Sequence, residues 1–234
     1  MIQQVGSLPV YLQIVELLVR DIAAGRLVDG EKLAPEREMA GELGIAVGTL
    51  RKALAELQER GLLERRQGSG NYVRAVSDPK SVYALFRLEL LEGGGLPTAQ
   101  VLSIDSLPKP DFFPKTGRSD YAHRIRRLRR LSGQPAALEE IWLCASYAET
   151  IELSEISESL YLYYRTKLGL WISTAEDRIS MDCVPNWVPE GIGLKSDDSC
   201  PYIERTSFAQ DGAVAEMSMT WYDYRVVHYV SRLK

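Results

Sequence analysis

Over the first 75 residues, apolar positions recur at helical spacing in three blocks, each closed by a glycine. Tyr11, Ile14, Leu18 and Ile22 follow Pro9 along one side of a helix that Gly25 ends. Asp29-Gly30 predicts a turn. The second block is shorter. Met39, Ala40 and Leu43 share a side, Pro35 lies in the first turn, Glu36 and Glu38 suit the positive end, and Gly44 stops it. The third predicts a helix from about Val47 to Arg60, with Leu50, Ala53, Leu54 and Leu57 as its buried stripe and Gly61 at C′. The period then changes. "LLERR" and "NYVR" read as short strands joined by "QGSG". Helix, helix, turn, helix, hairpin is the order of a winged helix-turn-helix domain over residues 1–75.

"RAVSDPKS" is polar and holds a proline, which predicts a linker at 76–81. From 82 to 234 the pattern is different. Segments 101–107, 121–131, 136–143, 174–181, 201–209 and 213–222 alternate or are rich in β-formers. "SGQP" and "QDGA" are turn material. The stretch 146–168 reads as helical in two pieces, with Ile156, Leu160 and Tyr163/Tyr164 near helical spacing. The fold class is therefore α+β, a winged helix followed by an antiparallel-sheet domain.

Composition narrows the picture. The chain of 234 residues is 45% hydrophobic and 26% charged, which is ordinary for globular protein. No apolar run approaches the roughly 20 residues that span a bilayer, and "MIQQVGSLPV" lacks the features of a signal peptide. Cys144, Cys183 and Cys200 are odd in number and show no metal-ligand spacing, so reduced thiols in a cytoplasmic protein are expected, with no metal and no cofactor. His123 and His228 are too sparse for a histidine metal site. The net charge of −4 argues against a general polyanion binder. Residues 1–76 nevertheless hold 10 Lys+Arg and 10 Asp+Glu, so the deficit lies wholly in the rest, and a locally basic face in the first segment remains open.

Two clusters then carry chemistry. A helix entering the major groove reads base edges with its N-terminal half, here Gly48, Thr49, Arg51 and Lys52. The adjoining hairpin places Arg65 and Arg66 for phosphates, while Gly68, Ser69 and Gly70 allow a tight approach. The competing reading of Arg65 and Arg66 is solvation of an edge strand. In the second segment, alternation puts Arg127 and Arg129 on one face with Ile125 and Leu131, and Arg126 and Arg130 on the other with Leu128. A hairpin at Gly133-Gln134 brings Glu139 to that sheet, and Ser159, Glu216 and Tyr222 could converge on it. Spacing alone leaves two outcomes open: a guanidinium pair for a phosphate or carboxylate, or an Arg–Glu ladder on the surface.

"LAPEREMAGELGIAVGTLRKALAELQERGLLERRQGSGNYV" resembles the DNA-binding domain of the GntR family of bacterial transcription regulators. The family's Glu-Arg-Glu falls on Glu36, Arg37 and Glu38, its Thr-x-Arg on Thr49 and Arg51, and its wing glycines on Gly68 and Gly70. Ala46-Val47 replaces the usual Ser-Arg, and Ala34-Pro35 the usual Pro-Ser, so Arg37, Thr49 and Arg51 are expected to bear more of the readout, with Val47 on a thymine methyl. "RRLRRLSGQPAALEEIWL", "ESLYLYYRTKLGLWI", "TAEDRI" and "IERTSFAQDGAVAEMSMTWY" resemble pieces of a UTRA domain, the effector-binding partner of the winged helix in the HutC subfamily. That resemblance implies a six-stranded antiparallel sheet similar to chorismate lyase. It also implies an anionic effector held by Arg127, Arg129, Glu139, Ser159, Glu216 and Tyr222. Segments 83–100 and 183–200 match it poorly.

The expected function is a ligand-responsive regulator, a repressor that binds an inverted-repeat operator in double-stranded DNA as a homodimer and answers to a small anionic metabolite. The alternatives are a constitutive DNA-binding dimer whose C-terminal domain binds nothing, and an enzyme on the chorismate-lyase-like sheet, for which only Glu139 and Glu216 offer candidate groups.

Overall fold

The structure is a computed structural model, and it describes residues 9–74, 85–114, 119–156 and 159–232. The predicted linker at 76–81 lies outside the described residues. The described chain divides into two compact units that meet in sequence between Arg87 and Leu88.

The first unit holds α1 (Val10–Ala23), α2 (Glu36–Glu42), α3 (Val47–Glu59) and a hairpin of β1 (Leu63–Arg66) and β2 (Gly70–Val73). Pro9 and Pro35 stand just before their helices as N-caps, with ψ of 135° and 138°, so Pro35 opens α2 from outside its first turn. Ile14, Leu18 and Ile22 of α1 meet Leu50, Ala53, Leu54 and Leu57 of α3 in one core that also takes in Leu33, Leu62, Leu63 and Val73. Leu50 and Leu57 are fully buried, and burying such a side chain contributes about 1.5–3 kcal/mol. The hairpin is antiparallel, with Arg65 opposite Asn71 and Arg66 opposite Gly70. Lys32 bridges Tyr72 from the connector, so the wing has a third edge.

The second unit is built on a six-stranded antiparallel sheet in the order β4-β5-β6-β9-β8-β7, where β4 is Pro97–Pro108, β5 Tyr121–Leu131, β6 Gln134–Cys144, β7 Ile172–Cys183, β8 Ser199–Ala209 and β9 Val214–Tyr222. A small second sheet pairs β3 (Leu88–Leu90) with β10 (Val227–Tyr229). All six strand-like segments fall in the large sheet. The helical reading of 146–168 holds only in part. Leu153–Glu155 is a single 3-10 turn, and α4 (Leu160–Tyr163) continues as a π-turn over Tyr164–Leu168 to Gly169. The sequence 146–152 adopts no helix, because its apolar residues lack helical spacing.

The β5–β6 hairpin turns at Ser132-Gly133, one residue earlier than predicted, with φ of 47° and 81°. Two left-handed residues in succession match strand twist. Two residues beyond Gln134, the ladder shifts. Arg130 faces Pro135 and Arg129 faces Ala137, so Ala136 is a bulge. From there Arg127 faces Glu139 and Arg126 faces Glu140.

The central strands of the sheet are buried on both faces. Leu128, Leu138, Trp142, Met217, Met219 and Trp221 pack beneath Phe113, Val184, Ile192 and Leu194. The Leu128 face is thus a core, although it also carries Arg126 and Arg130. The loop from 184 to 194 closes over it, and no periodicity in that loop announced this. The opposite face carries Arg127, Arg129, Glu139 and Glu216.

Candidate functional site

In the first unit, Arg51 and Lys52 are exposed and Thr49 is half-buried, off the buried stripe of α3. Arg51 donates through Nε to Glu36 Oε2 at 2.6 Å. Lys52 is directed elsewhere: its Nζ sits 3.8 Å from the centroid of the Tyr11 ring on α1. Val47 is half-buried against the core, at the start of α3.

A groove of about 770 Å³ runs between the connector and the wing, lined by Lys32, Arg37, Gln58 and the wing residues Arg65 to Asn71. It gathers Arg37, Arg65, Arg66, Gly68, Ser69 and Gly70, while Thr49, Arg51 and Lys52 lie outside its lining. Gly70 has φ of 130°, a conformation that favours glycine, and a Cβ there would press on Lys32 Cε at 3.3 Å, so the lysine would have to shift slightly. Arg66 is partly engaged within the wing: Nε donates to Glu64 Oε1 at 3.1 Å and the guanidinium lies 4.1 Å from the Tyr72 ring centroid. Arg74 also pairs with Glu64. The Glu64 carboxyl is held below its ordinary range, first by the Arg66 hydrogen bond. Lys32 was not foreseen, because its connector shows no periodicity. The bridge to Tyr72 is what brings it to the wing.

In the second unit, Arg127 and Arg129 are buried at 4% and 6% exposure, and Glu139 at 8%. Arg127 Nη2 donates to Glu139 Oε2 at 2.6 Å, and Arg129 Nε donates to Glu139 Oε1 at 3.0 Å. The Arg–Glu ladder exists, but inside the domain rather than on its surface. Burial would raise the Glu139 carboxyl. The charges and hydrogen bonds of Arg127 and Arg129 outweigh it and hold the group below its ordinary range. Two cations against one anion leave one net positive charge in this triad.

Glu216 forms the neighbouring cluster, 2% exposed. Its Oε2 accepts from Tyr164 Oη at 2.6 Å, and its Oε1 accepts from Ser207 Oγ at 3.2 Å and Tyr161 Oη at 3.3 Å. Burial raises this carboxyl. The Tyr164 hydrogen bond and the Arg127 charge lower it by less. Ser159 is buried and caps α4, its Oγ accepting from Leu162 N at 3.4 Å. Tyr222 faces Ala137, which in turn faces Arg129, so the three form one row across the sheet with the small residue in the middle. All six expected residues are therefore buried. Arg127, Arg129 and Glu139 are joined directly, and Glu216 is tied to them by the Arg127 charge. Tyr161, Tyr164, Ser207 and Arg205 complete the cluster and were not foreseen. "YLYY" reads as core aromatic, and only the position of α4 over Glu216 turns its hydroxyls inward. Among the described residues no group of three or more His, Cys, Asp or Glu could hold a metal ion.

Comparison with known proteins agrees with the fold of the two units. Residues 10–73 match the model of the bacterial regulatory proteins of the gntR family, and residues 92–226 match that of the UTRA domain. The chain is 68% identical over 229 residues to the HTH-type transcriptional regulator SmoD of Agrobacterium fabrum, covering 98% of each. It is 28% identical to the HTH-type transcriptional repressor NagR of Bacillus subtilis over 99% of each. It is also 28% identical to the mannosyl-D-glycerate transport/metabolism system repressor MngR of Escherichia coli over 91% of each. The crystal structure of YydK from Bacillus subtilis shares the fold at a TM-score of 0.53 and 21% identity, covering 97% of this chain and 100% of that one.

Proposed function

The chain belongs to the gntR family of bacterial regulatory proteins, of the type that carries a UTRA domain, and from that premise we propose that it is a dimeric repressor whose hold on its operator is set by a small anionic metabolite bound at Arg127 and Arg129. As a member of this family it is a DNA-binding transcription regulator. The base-reading residues of the proposal are Thr49 and Arg51, with Arg37, Lys52, Arg65, Arg66 and the wing tip Gly68–Gly70 on the backbone.

The observation that carries the effector reading is the buried triad Arg127–Glu139–Arg129. Guanidinium groups are suited to bidentate contact with phosphate or carboxylate. Guanidinium groups held this way, with hydroxyl donors of Tyr161, Tyr164 and Ser207 nearby on the same face, suit a bound anion. The name of the Escherichia coli relative refers to mannosyl-D-glycerate, a sugar that bears a carboxylate, which supports this ligand class. Two copies on an inverted repeat would read half-sites about 34–36 Å apart. Differential affinity of the effector for two arrangements of the heads would release or tighten the grip.

The test is DNA binding to the region upstream of the protein's own gene, with and without phosphate- and carboxylate-bearing sugars, alongside calorimetry with Arg129→Ala as control. A sugar anion that changes operator affinity in the wild type and not in R129A supports the reading. Operator binding indifferent to every such anion, with no heat of binding, favours the constitutive regulator instead.

A further inference from the structure

Asp177 of β7 and Arg205 of β8 face each other across the sheet edge, and the pair is bidentate, with Nε to Oδ1 at 2.6 Å and Nη2 to Oδ2 at 2.7 Å. Each also reaches beyond the pair, in opposite directions. The Arg205 charge acts on the Tyr161 hydroxyl, which itself reaches Glu216 at 3.3 Å and Ser207, two residues along β8 from Arg205, at 3.0 Å. The Asp177 carboxylate accepts from Tyr229 Oη at 2.8 Å. Tyr229 is the last residue of β10, and its register partner is Leu88, the first residue of β3. β3 is the first strand after the segment that leads from the winged-helix unit.

We infer that Tyr229 couples the pocket to the strand through which the DNA-binding unit is joined, along the line Glu216, Tyr161, Arg205, Asp177, Tyr229. The inference rests on the proposal that the pocket holds the effector. It names which residues would carry that event toward β3.

Two physical features favour this line. The Tyr161 hydroxyl owns one proton and has two acceptors, Glu216 and Ser207, and it feels the charge of Arg205, which stands two residues from Ser207 on β8. A ligand that draws on Glu216 or displaces it forces a choice on that proton. Tyr161 then moves relative to Arg205, giving an element with two discrete arrangements rather than a continuous drift. The second feature is the stiffness of the next link. A planar guanidinium held at both oxygens of one carboxylate, with side chains only 16% and 12% exposed, moves with its partner as a unit. A displacement of Arg205 is therefore passed to the Oδ2 that holds Tyr229.

A cycle of variants in the full-length protein tests this without DNA and without any effector. Amide hydrogen exchange is followed in peptides spanning β3 and β10 for wild type, Glu216→Gln, Tyr229→Phe and the double variant. E216Q is expected to change exchange in these strands by roughly 3- to 10-fold, the range that a coupled hydrogen-bond network gives. In the Y229F background the same substitution is expected to change it by less than about 1.5-fold. An equal effect of E216Q in both backgrounds, or none in the wild type, overturns the inference. Asp177→Asn serves as a second break in the line and must likewise suppress the E216Q effect. Once a sugar anion that modulates operator affinity is in hand, Y229F is expected to bind it and the operator as before while losing the modulation. A variant that loses anion binding itself would count against the coupling role. Failure of the wild type to respond to any anion would instead count against the pocket reading alone.

Discussion

Arg51 Nε and Glu36 Oε2 lie 2.6 Å apart, which ties the outward arginine of α3 to the first residue of α2. The pair is too exposed to add much to stability. Its effect is to fix the direction of a guanidinium that still has its Nη groups to offer.

Replacing Arg51 by Ala is expected to weaken operator binding by roughly 5- to 150-fold, the 1–3 kcal/mol of one bidentate base contact, with the thermal midpoint unchanged. Glu36→Gln releases the same arginine and removes a negative charge beside the proposed reading helix. It is expected to strengthen binding to a scrambled duplex and to lower the ratio of operator to scrambled affinity. Fluorescence anisotropy on both duplexes at one salt concentration decides it, and parallel losses on the two would deny Arg51 a reading role.

On the wing, Arg65 and Arg66 should not behave alike. Arg65→Ala is expected to reduce the slope of log K against log salt by about 1, as one lost phosphate contact does. Arg66 already spends its charge on Glu64, so Arg66→Ala is expected to change the slope less. Titrations at four or more salt concentrations measure both slopes, and a larger change for Arg66 would refute the ranking.

Removing the negative member of the buried triad leaves two guanidinium groups facing each other. Glu139→Gln is expected to destabilise the second unit by about 3–5 kcal/mol. Inorganic phosphate should then raise the melting temperature of E139Q by more than it raises that of wild type, because the anion replaces the lost carboxylate. Differential scanning calorimetry with and without phosphate, matched for ionic strength with chloride, is the measurement. Equal shifts in the two proteins would mean that no anion enters between Arg127 and Arg129.

Glu216 and Glu139 carry opposite pH signatures. Burial raises the folded-state Glu216 carboxyl above the unfolded one, so the folded state binds the extra proton. The stability it contributes is full below the unfolded value and is lost as pH rises through the folded one. Glu139 is depressed, so its contribution is present above the unfolded value and is lost as pH falls through the folded one. Glu216→Gln stays neutral throughout. The stability of E216Q relative to wild type is therefore expected to climb as pH rises from 4.5, the ordinary value for this carboxyl, through the raised one. Urea midpoints measured across that window test it, and a difference independent of pH would show that Glu216 titrates normally.

What the sequence disclosed was periodic. Leu50, Ala53, Leu54 and Leu57 announced α3 because a helix buries every third or fourth residue. The alternation in "YAHRIRRLRRL" announced β5 with its arginines on known sides. What stayed hidden depended on partners far along the chain. Tyr161 and Tyr164 read as core until the sheet set Glu216 beneath them. Arg205 is an ordinary strand residue until Asp177 faces it. Lys32 belongs to no periodic element and reaches the wing through one bridge. The loop from 184 to 194 has no pattern at all, so the burial of the Leu128 face was invisible.

The bulge at Ala136 has a consequence for heredity. It sits between a two-residue turn and the acidic pair, and by taking up one residue it decides whether Glu139 or Leu138 stands opposite Arg127. Strands count in twos, so an odd change of length between Gln134 and Glu139 would exchange what the two surfaces of the sheet present. Loss of Ala136 itself is the exception, since a plain ladder running from the turn then meets Arg127 with Glu139 again. Among descendants of this gene, loss of that residue keeps Glu139 opposite Arg127, whereas one residue inserted between Ala136 and Leu138 hands the pocket a leucine and sends its carboxylate to the opposite side.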